Sequence, residues 1–258
     1  MIYVIGGRGF VGSAYVRLLE RLGLPHMVVT RENYDGLRGT ACDVLINANG
    51  NSRKFLADRD PLWEFDASVR SVAESLHAFR ASRYVFLSSG DVYPDPSSPA
   101  TTGEDSVDTL PAASRYGRHK WMAEQLVRGE HRNWLIFRMG GFVGPGLRKN
   151  AIFDMVTGAA VRLAPESELQ FIQTDHAAAL VWSVVSSGVA GEVFNLGGGG
   201  RVHLGDLHAE CKSASEFEAG APVIRYELAL DKLRRAAGSP IPDSLAEVRA
   251  FVRESQSL

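Results

Sequence analysis

The chain has 258 residues, 45% of them hydrophobic and 22% charged, with a formal net charge of −2. That is the make-up of a globular protein with room for one domain, or for one domain and an appendage, and it excludes disordered, collagen-like and coiled-coil chains. The near-neutral charge gives no electrostatic footprint for nucleic acid, and no apolar run approaches the roughly 20 residues of a membrane helix.

Short β-branched runs alternate with helical patterns over the first 140 residues. Ile2–Ile5 reads as a buried strand, followed by a glycine turn and a helix over Phe10–Arg21. His26–Val29 and Val44–Asn47 are the next predicted strands. Only 14 residues, Thr30–Asp43, separate them, too few for a further helix–strand unit, so the sheet is expected to be trimmed there. Over Pro61–Ala81 the apolar residues Leu62, Phe65, Val69, Val72, Leu76 and Phe79 recur at steps of three and four, which predicts a helix. Tyr84–Leu87 is a strand, Pro111–Arg128 a second long helix and Trp134–Phe137 another strand. Strands joined by helical crossovers imply a parallel sheet covered on both faces.

After Gly140 the rhythm changes. Gly141–Gly146 reads as a loop, Ala151–Gly158 as a helix, Leu169–Ile172 as a strand, Asp175–Ser186 as a helix and Glu192–Leu196 as a strand. The glycines at 197–200 read as a flexible turn, and a polar helix over Ser244–Ser255 closes the chain. The expected organisation is a Rossmann-type, doubly wound α/β domain over residues 1–140. Residues 141–258 then form mainly a small substrate lobe, with some segments returning to the sheet.

Gly6, Gly9 and Gly12 lie between the first strand and the first helix. This spacing suits a pyrophosphate grip: the first glycine for the tight turn, the second for close backbone approach, the third for helix–strand packing. The free N–H groups of the helix N-terminus face the anion. Arg8, Phe10 and Val11 share that loop and are candidate cofactor contacts. Where an NAD site usually carries an acid, the second strand ends in Val29-Thr30-Arg31. A guanidinium there pairs with a 2′-phosphate, so Arg31, with Arg8, points to NADP; a merely solvated arginine is the plain alternative.

Tyr116 is the only tyrosine in the chain with a lysine, Lys120, four residues on. That spacing puts phenol and amine one turn apart on one helix face. An ammonium nearby is expected to lower the phenol's pKa and fit it for proton exchange with an alcohol or ketone. Ser88-Ser89 follow the Tyr84–Leu87 strand, at the edge where open α/β sheets bind ligands; turn capping is the alternative for each.

Together these segments resemble the extended short-chain dehydrogenase/reductase superfamily, in particular its nucleotide-sugar epimerase/dehydratase family. The likeness runs through GGRGFVGS (6–13), VLINANG (44–50), YVFLSSGDVYPD (84–95), YGRHKWMAEQLV (116–127), FRMGGFVGPG (137–146), FIQTDHAAALV (171–181), VFNLGGG (193–199) and LALDKLRRAAG (228–238). The resemblance implies Ser89, three positions before Val92-Tyr93, as the hydroxyl partner of Tyr116 and Lys120. It implies Asn47, Ala48 and Asn49 as cofactor contacts, and Arg138, Met139 and Gly140 beside nicotinamide and sugar. The first thirty residues are similar to the GDP-fucose synthase branch, which carries an acid/base cysteine where this chain has Asp91. Asp91 is therefore a candidate second proton carrier, with turn capping as the alternative. Asn150 stands about where that branch has its second epimerisation residue, a histidine, so it is a candidate substrate contact and a copy of that double epimerisation is not expected. Gln170 replaces a diphosphate-holding arginine of many relatives, for which Arg148, Lys149 or Arg201 could substitute. His119 and His176 show no partner pattern.

The resemblance thus implies an NADP-dependent oxidoreductase (NAD as the alternative) that reduces a keto group of a nucleotide-linked sugar. Ser89, Tyr116, Lys120 and Asp91 would be the catalytic groups, with the substrate against Ser89, Gly90, Asp91, Gly140 and Asn150. A 4-epimerase or dehydratase that recycles a tightly bound dinucleotide is the first alternative, and a non-catalytic dinucleotide-binding regulatory protein the second. Relatives dimerise through the two long helices, so a homodimer is expected. The opening MIYVIGG has no basic stretch, and Cys42 and Cys211 have neither metal-ligand nor disulfide spacing. A cytoplasmic protein without metal, nucleic-acid or membrane partners is expected.

Overall fold

The computed structural model describes residues 1–51, 53–107, 112 and 114–256. Six parallel strands form the main sheet in the order β2-β1-β3-β4-β5-β9. They are β1 (Ile2–Ile5), β2 (His26–Val29), β3 (Ala41–Asn47), β4 (Arg80–Ser89), β5 (Trp134–Met139) and β9 (Glu192–Leu196). The trimmed edge is as expected: among the described residues, a 3-10 turn at Asp35–Leu37 is the only regular element between β2 and β3, and β2 ends the sheet.

Side chains of a strand alternate between faces, and the core divides accordingly. Ile2, Val4, Val85, Leu87, Leu135 and Phe137 pack on one side with Tyr15, Leu18 and Leu19 of α1 (Gly12–Arg21). Tyr3, Ile5, Tyr84, Phe86 and Ile136 pack on the other, with residues of the helices that precede β4 and β5. The sheet is therefore doubly wound.

The predicted helix over Pro61–Ala81 is broken into pieces. After the short α2 (Leu56–Arg59), α3 (Pro61–Phe65) runs through a π-helical turn at Asp66–Arg70 into α4 (Ser71–Ala78). Asp60 caps α3 by accepting a hydrogen bond from Trp63 N. Ala81 already belongs to β4, where it pairs with Cys42. Of the predicted helix at Pro111–Arg128, Pro111 lies outside the described residues; α5 spans Arg115–Glu130, capped by Ser114.

Beyond β5 the chain alternates between the sheet and a second layer. Gly141–Val143, predicted as part of a loop, is a strand, β6, paired in parallel with β8 (Phe171–Gln173). The predicted strand Leu169–Ile172 is two strands, because β7 (Glu168–Leu169) pairs instead with β10 (Val202–His203) and β11 (Arg225–Tyr226). Between β6 and β7, α6 (Ala151–Thr157) is followed by Gly158 at φ +74°, the left-handed residue that ends it. α7 (Thr174–Ser186) and α9 (Asp231–Ala237) pack against the main sheet, whereas α8 (Leu204–Cys211) and α10 (Ser244–Gln256) pack with α6 around Ile152, Val161, Phe171, Leu204 and Phe251.

Register determines what meets at the sheet's carboxyl edge. Ile5 pairs with Val29 and Asn47, and Ser89 with Met139, which pairs in turn with Leu196. The residues that follow these strands line one edge. The strand order reverses between β1 and β3, which is where open α/β sheets hold their ligands.

Candidate active site

At the first half of this edge the surface is shaped by closely packed backbone. Gly6 turns at φ +76°, and a Cβ there would stand 2.9 Å from the Ala48 carbonyl oxygen. A Cβ on Gly12 would overlap the Gly6 carbonyl, and one on Gly9 would lie 3.1 Å from the same oxygen. Val11, at the N-cap of α1, provides no side-chain cap, and the first turn holds no acid. Those N–H groups and the small-residue cradle fit a pyrophosphate, so the residues present suit a dinucleotide. Phe10 and Val11 are half-buried and pack on the core.

The expected contacts after β3 divide. Ala48 and Asn49 lie against the Gly6 turn. Asn47 does not offer its side chain: Nδ2 donates to Tyr84 Oη at 2.7 Å and to Ser75 Oγ at 3.2 Å, while Oδ1 accepts from Asn49 N at 3.0 Å. Its buried amide pins the loop. At the end of β2, Glu32 adds an acid that the strand-end pattern does not single out. Its carboxylate lies 3.5 Å from Arg8 Nη1 on an exposed surface. A hydrogen bond from Thr30, a backbone bond and the Arg8 and Arg31 charges hold its pKa below the usual range.

The other half of the edge is built from buried polar side chains. Ser89 ends β4, and its side chain accepts a hydrogen bond from Asp91 N at 3.2 Å and is hydrogen-bonded to the Tyr116 phenol. Tyr116 and Lys120, both buried, come from the first two turns of α5. Close packing of α5 on the Asp91 turn depends on Gly117, whose Cβ would overlap the Asp91 carbonyl. Lys120 Nζ donates to Leu87 O at 3.3 Å and stands 4.9 Å from the Phe86 ring centre. Burial pushes its pKa down to about 8, against the pull of Glu64, Glu124 and Asp91.

For Tyr116 the direction is opposite to the sequence expectation. Burial, then the Asp91 and Glu64 charges, raise its pKa, and only the Ser89 hydrogen bond lowers it. Desolvation and the neighbouring carboxylates dominate among the protein's own groups.

Ser88 serves the core instead, where its Oγ donates to Glu124 Oε1 at 2.6 Å. Glu124 in turn pairs at 2.8 Å with Arg138, and both side chains are fully buried. Arg138 also donates to Tyr93 Oη at 3.1 Å and to Glu104 O at 2.8 Å. Every arm of this guanidinium is engaged inside the protein, which overturns its expected place beside nicotinamide and sugar. Met139, half-buried, and Gly140, whose N–H donates to Leu196 O at 2.8 Å, stay at the edge. Asn150, the candidate substrate contact, has both ends of its amide engaged: Oδ1 caps α6 by accepting from Phe153 N, and Nδ2 donates to Phe142 O, each at 2.9 Å.

Three groups at this corner carry no sequence signal. Lys54 pairs with Asp91 at 2.5 Å, Tyr226 brings its hydroxyl against Gly90, and Glu64, fully buried, bonds His119 and Ser68. His176 likewise has a partner, Glu247, at 2.8 Å. Gln170 is structural, since its amide exchanges hydrogen bonds with the Leu228 backbone. Arg201 is paired with Glu168 and Glu227. Burial and the Lys54 and Arg53 charges lower the pKa of Lys149, so these cations share one neighbourhood.

A doubly wound sheet with a glycine cradle at its switch point and a Ser–Tyr–Lys group on the same edge defines an extended short-chain dehydrogenase/reductase. The sequence model of the NAD dependent epimerase/dehydratase family matches residues 2–197. The chain belongs to that family, whose members are enzymes using a nicotinamide dinucleotide. Among solved structures, a UDP-galactose 4-epimerase is 24% identical, with 99% of this chain and 98% of that one covered and a TM-score of 0.79. A dTDP-glucose 4,6-dehydratase from Streptomyces venezuelae, solved with NAD, is 20% identical over 99% and 97% of the two chains, with a TM-score of 0.81. RMD from Pseudomonas aeruginosa, complexed with NADPH, is 20% identical over 99% of each chain, with a TM-score of 0.78. No curated protein sequence matches this chain. Among the described residues, no helix is long and apolar enough to cross a membrane.

Proposed function

We propose that this chain reduces a keto group of a nucleotide-linked sugar at the expense of NADPH, as a 4-ketoreductase. The observation that carries the reading is the convergence of Ser89 at the end of β4 with the buried Tyr116 and Lys120 on one helix face, and with the glycine cradle on the same edge. A nicotinamide dinucleotide held by the Gly6–Gly12 cradle, Ala48 and Asn49 supplies the hydride. Tyr116 Oη gives its proton to the ketone oxygen, Ser89 Oγ steadies that oxygen, and Lys120 sets the charge around the phenol. Met139, in register with Ser89, and Gly140 would lie beside the dinucleotide and the substrate, whereas Gly90 packs against Tyr226.

Arg8 and Arg31 support NADP. Their charge suits a 2′-phosphate, and a chain of similar fold was solved with NADPH. Asp91 supports reduction over dehydration. Its carboxylate is held by the Lys54 ammonium, away from the position of a free acid/base group. A second reading, a 4-epimerase or dehydratase with tightly bound NAD, is favoured by one observation: Glu32 brings a carboxylate to the end of β2, where it would meet ribose hydroxyls and repel a 2′-phosphate. Calorimetric titration with NADPH and NADH separates the two. Tighter NADPH, followed by its consumption with one of a panel of UDP, GDP, CDP and dTDP 4-ketosugars, supports the first reading. Tighter NADH, or turnover with no added coenzyme, supports the second.

We infer a homodimer as well. Leu62, Trp63 and Phe65 of α3 and Met122 of α5 are apolar and exposed, Leu62 at 80%. Sedimentation at micromolar concentration should give twice the 28.1 kDa of one chain.

A further inference from the structure

The Ser–Tyr–Lys group leaves a second cation unexplained. Lys54 lies just before α2, and its ammonium reaches across the edge to three groups from three other elements. It lies 2.5 Å from Asp91 Oδ2, 5.8 Å from the ring centre of Tyr116 and 5.9 Å from that of Tyr226. Asp91 Oδ2 is buried and has no hydrogen bond of its own, so the ammonium is its compensating partner. We propose that Lys54 is a positioning residue, which locks the Asp91 carboxylate in place and offsets its negative charge against the Tyr116 phenol. The inference deepens the proton-transfer role proposed above for Tyr116 and rests on that reading.

The electrostatics around the phenol make the assignment specific. The groups that face it are Asp91 from the turn after β4, Glu64 from α3, Ser89 from β4, Lys120 from its own helix, Tyr226 from β11 and Lys54. Asp91 and Glu64 both oppose formation of the phenolate. Glu64 is already engaged by His119 and Ser68. Asp91 is engaged by Lys54, whose side chain is 61% exposed against 15% for Asp91. The cation therefore comes from the solvent side of the edge, where a substrate would lie, and the anion from the protein side. Unit charges about 6 Å apart at an effective dielectric of about 40 move a titration by about one pH unit, enough to decide whether a phenol is usable as an acid or base.

The test places a fluorinated tyrosine at position 116 of the full chain, which brings the phenol's titration into an accessible range, and follows it by fluorine NMR with neither coenzyme nor substrate. Its outcome is thus independent of the ketosugar reading. In Lys54→Met the phenol should titrate about one pH unit higher. In Asp91→Asn it should titrate lower, and in the double variant the two displacements should cancel. Lys54→Arg should stay near the parent. Lys54→Gln serves as a second neutral variant should methionine disturb folding. An unchanged titration in both neutral variants, an equal displacement in Lys54→Arg, or a double variant that keeps the Lys54→Met value overturns the proposal.

Discussion

The two halves of the carboxyl edge are built by different physics. The cradle around Gly6, Gly9 and Gly12 works by what is missing: each absent Cβ lets one backbone segment approach another, and the nearby charge pair Arg8–Glu32 is exposed. The corner around Tyr116 works by what is buried: a lysine, a phenol and carboxylates from several elements share a small desolvated volume. The first half resists change in shape and tolerates a change in pH. The second half should behave the other way round.

Substitutions can break or sharpen that contrast. The largest effect is expected from Tyr116→Phe, which keeps the ring and removes the proton: kcat on the ketosugar should fall by about 10²–10⁴-fold with coenzyme affinity unchanged. Next comes Glu124→Gln, which strands the fully buried Arg138 charge and should cost about 3–5 kcal/mol in denaturant melts. Lys120→Met probes desolvation directly. With the folded pKa of Lys120 pushed down to about 8 from an ordinary 10.5, the unfolded chain binds the proton more tightly between those values. Wild-type stability therefore rises with pH across that window, and its cost is fully present below it. The variant should be more stable at pH 7 by on the order of 2 kcal/mol, and the gap should close as pH rises from about 8 towards 10.5. The smallest effect is on the cradle side: Gly12→Ala forces the Gly6 carbonyl to move, should cost about 1–3 kcal/mol, and should show no pH dependence.

Much of the frame is legible in the sequence because it follows from local pattern. β1, β2 and β9 occupy the predicted residues, since each is a short, β-branched-rich run bounded by turn or helix signals. The failures have a common cause in partners that are distant along the chain. Gly141–Val143 looks like a glycine loop until Phe171–Gln173 is available to pair with it. The π-helical turn at Asp66–Arg70 interrupts a periodicity that looks unbroken, and Ala81 is taken by β3. In the site, the glycine spacing and the Tyr116–Lys120 offset are local and therefore legible. Whether Arg138, Asn47 or Asn150 faces a ligand depends on Glu124, Tyr84 and Phe142, which no spacing rule connects to them. Lys54 stays hidden for the same reason, because nothing between positions 54 and 91 announces their contact.

The central claim is that the hydride comes from NADPH supplied from outside while Tyr116 gives the proton. Turnover of a 4-ketosugar nucleotide with NADPH deuterated on its transferable hydrogen tests it most directly. The account predicts one deuterium on the product carbinol carbon for each NADPH consumed. Product formed without NADPH consumption and without deuterium would contradict it.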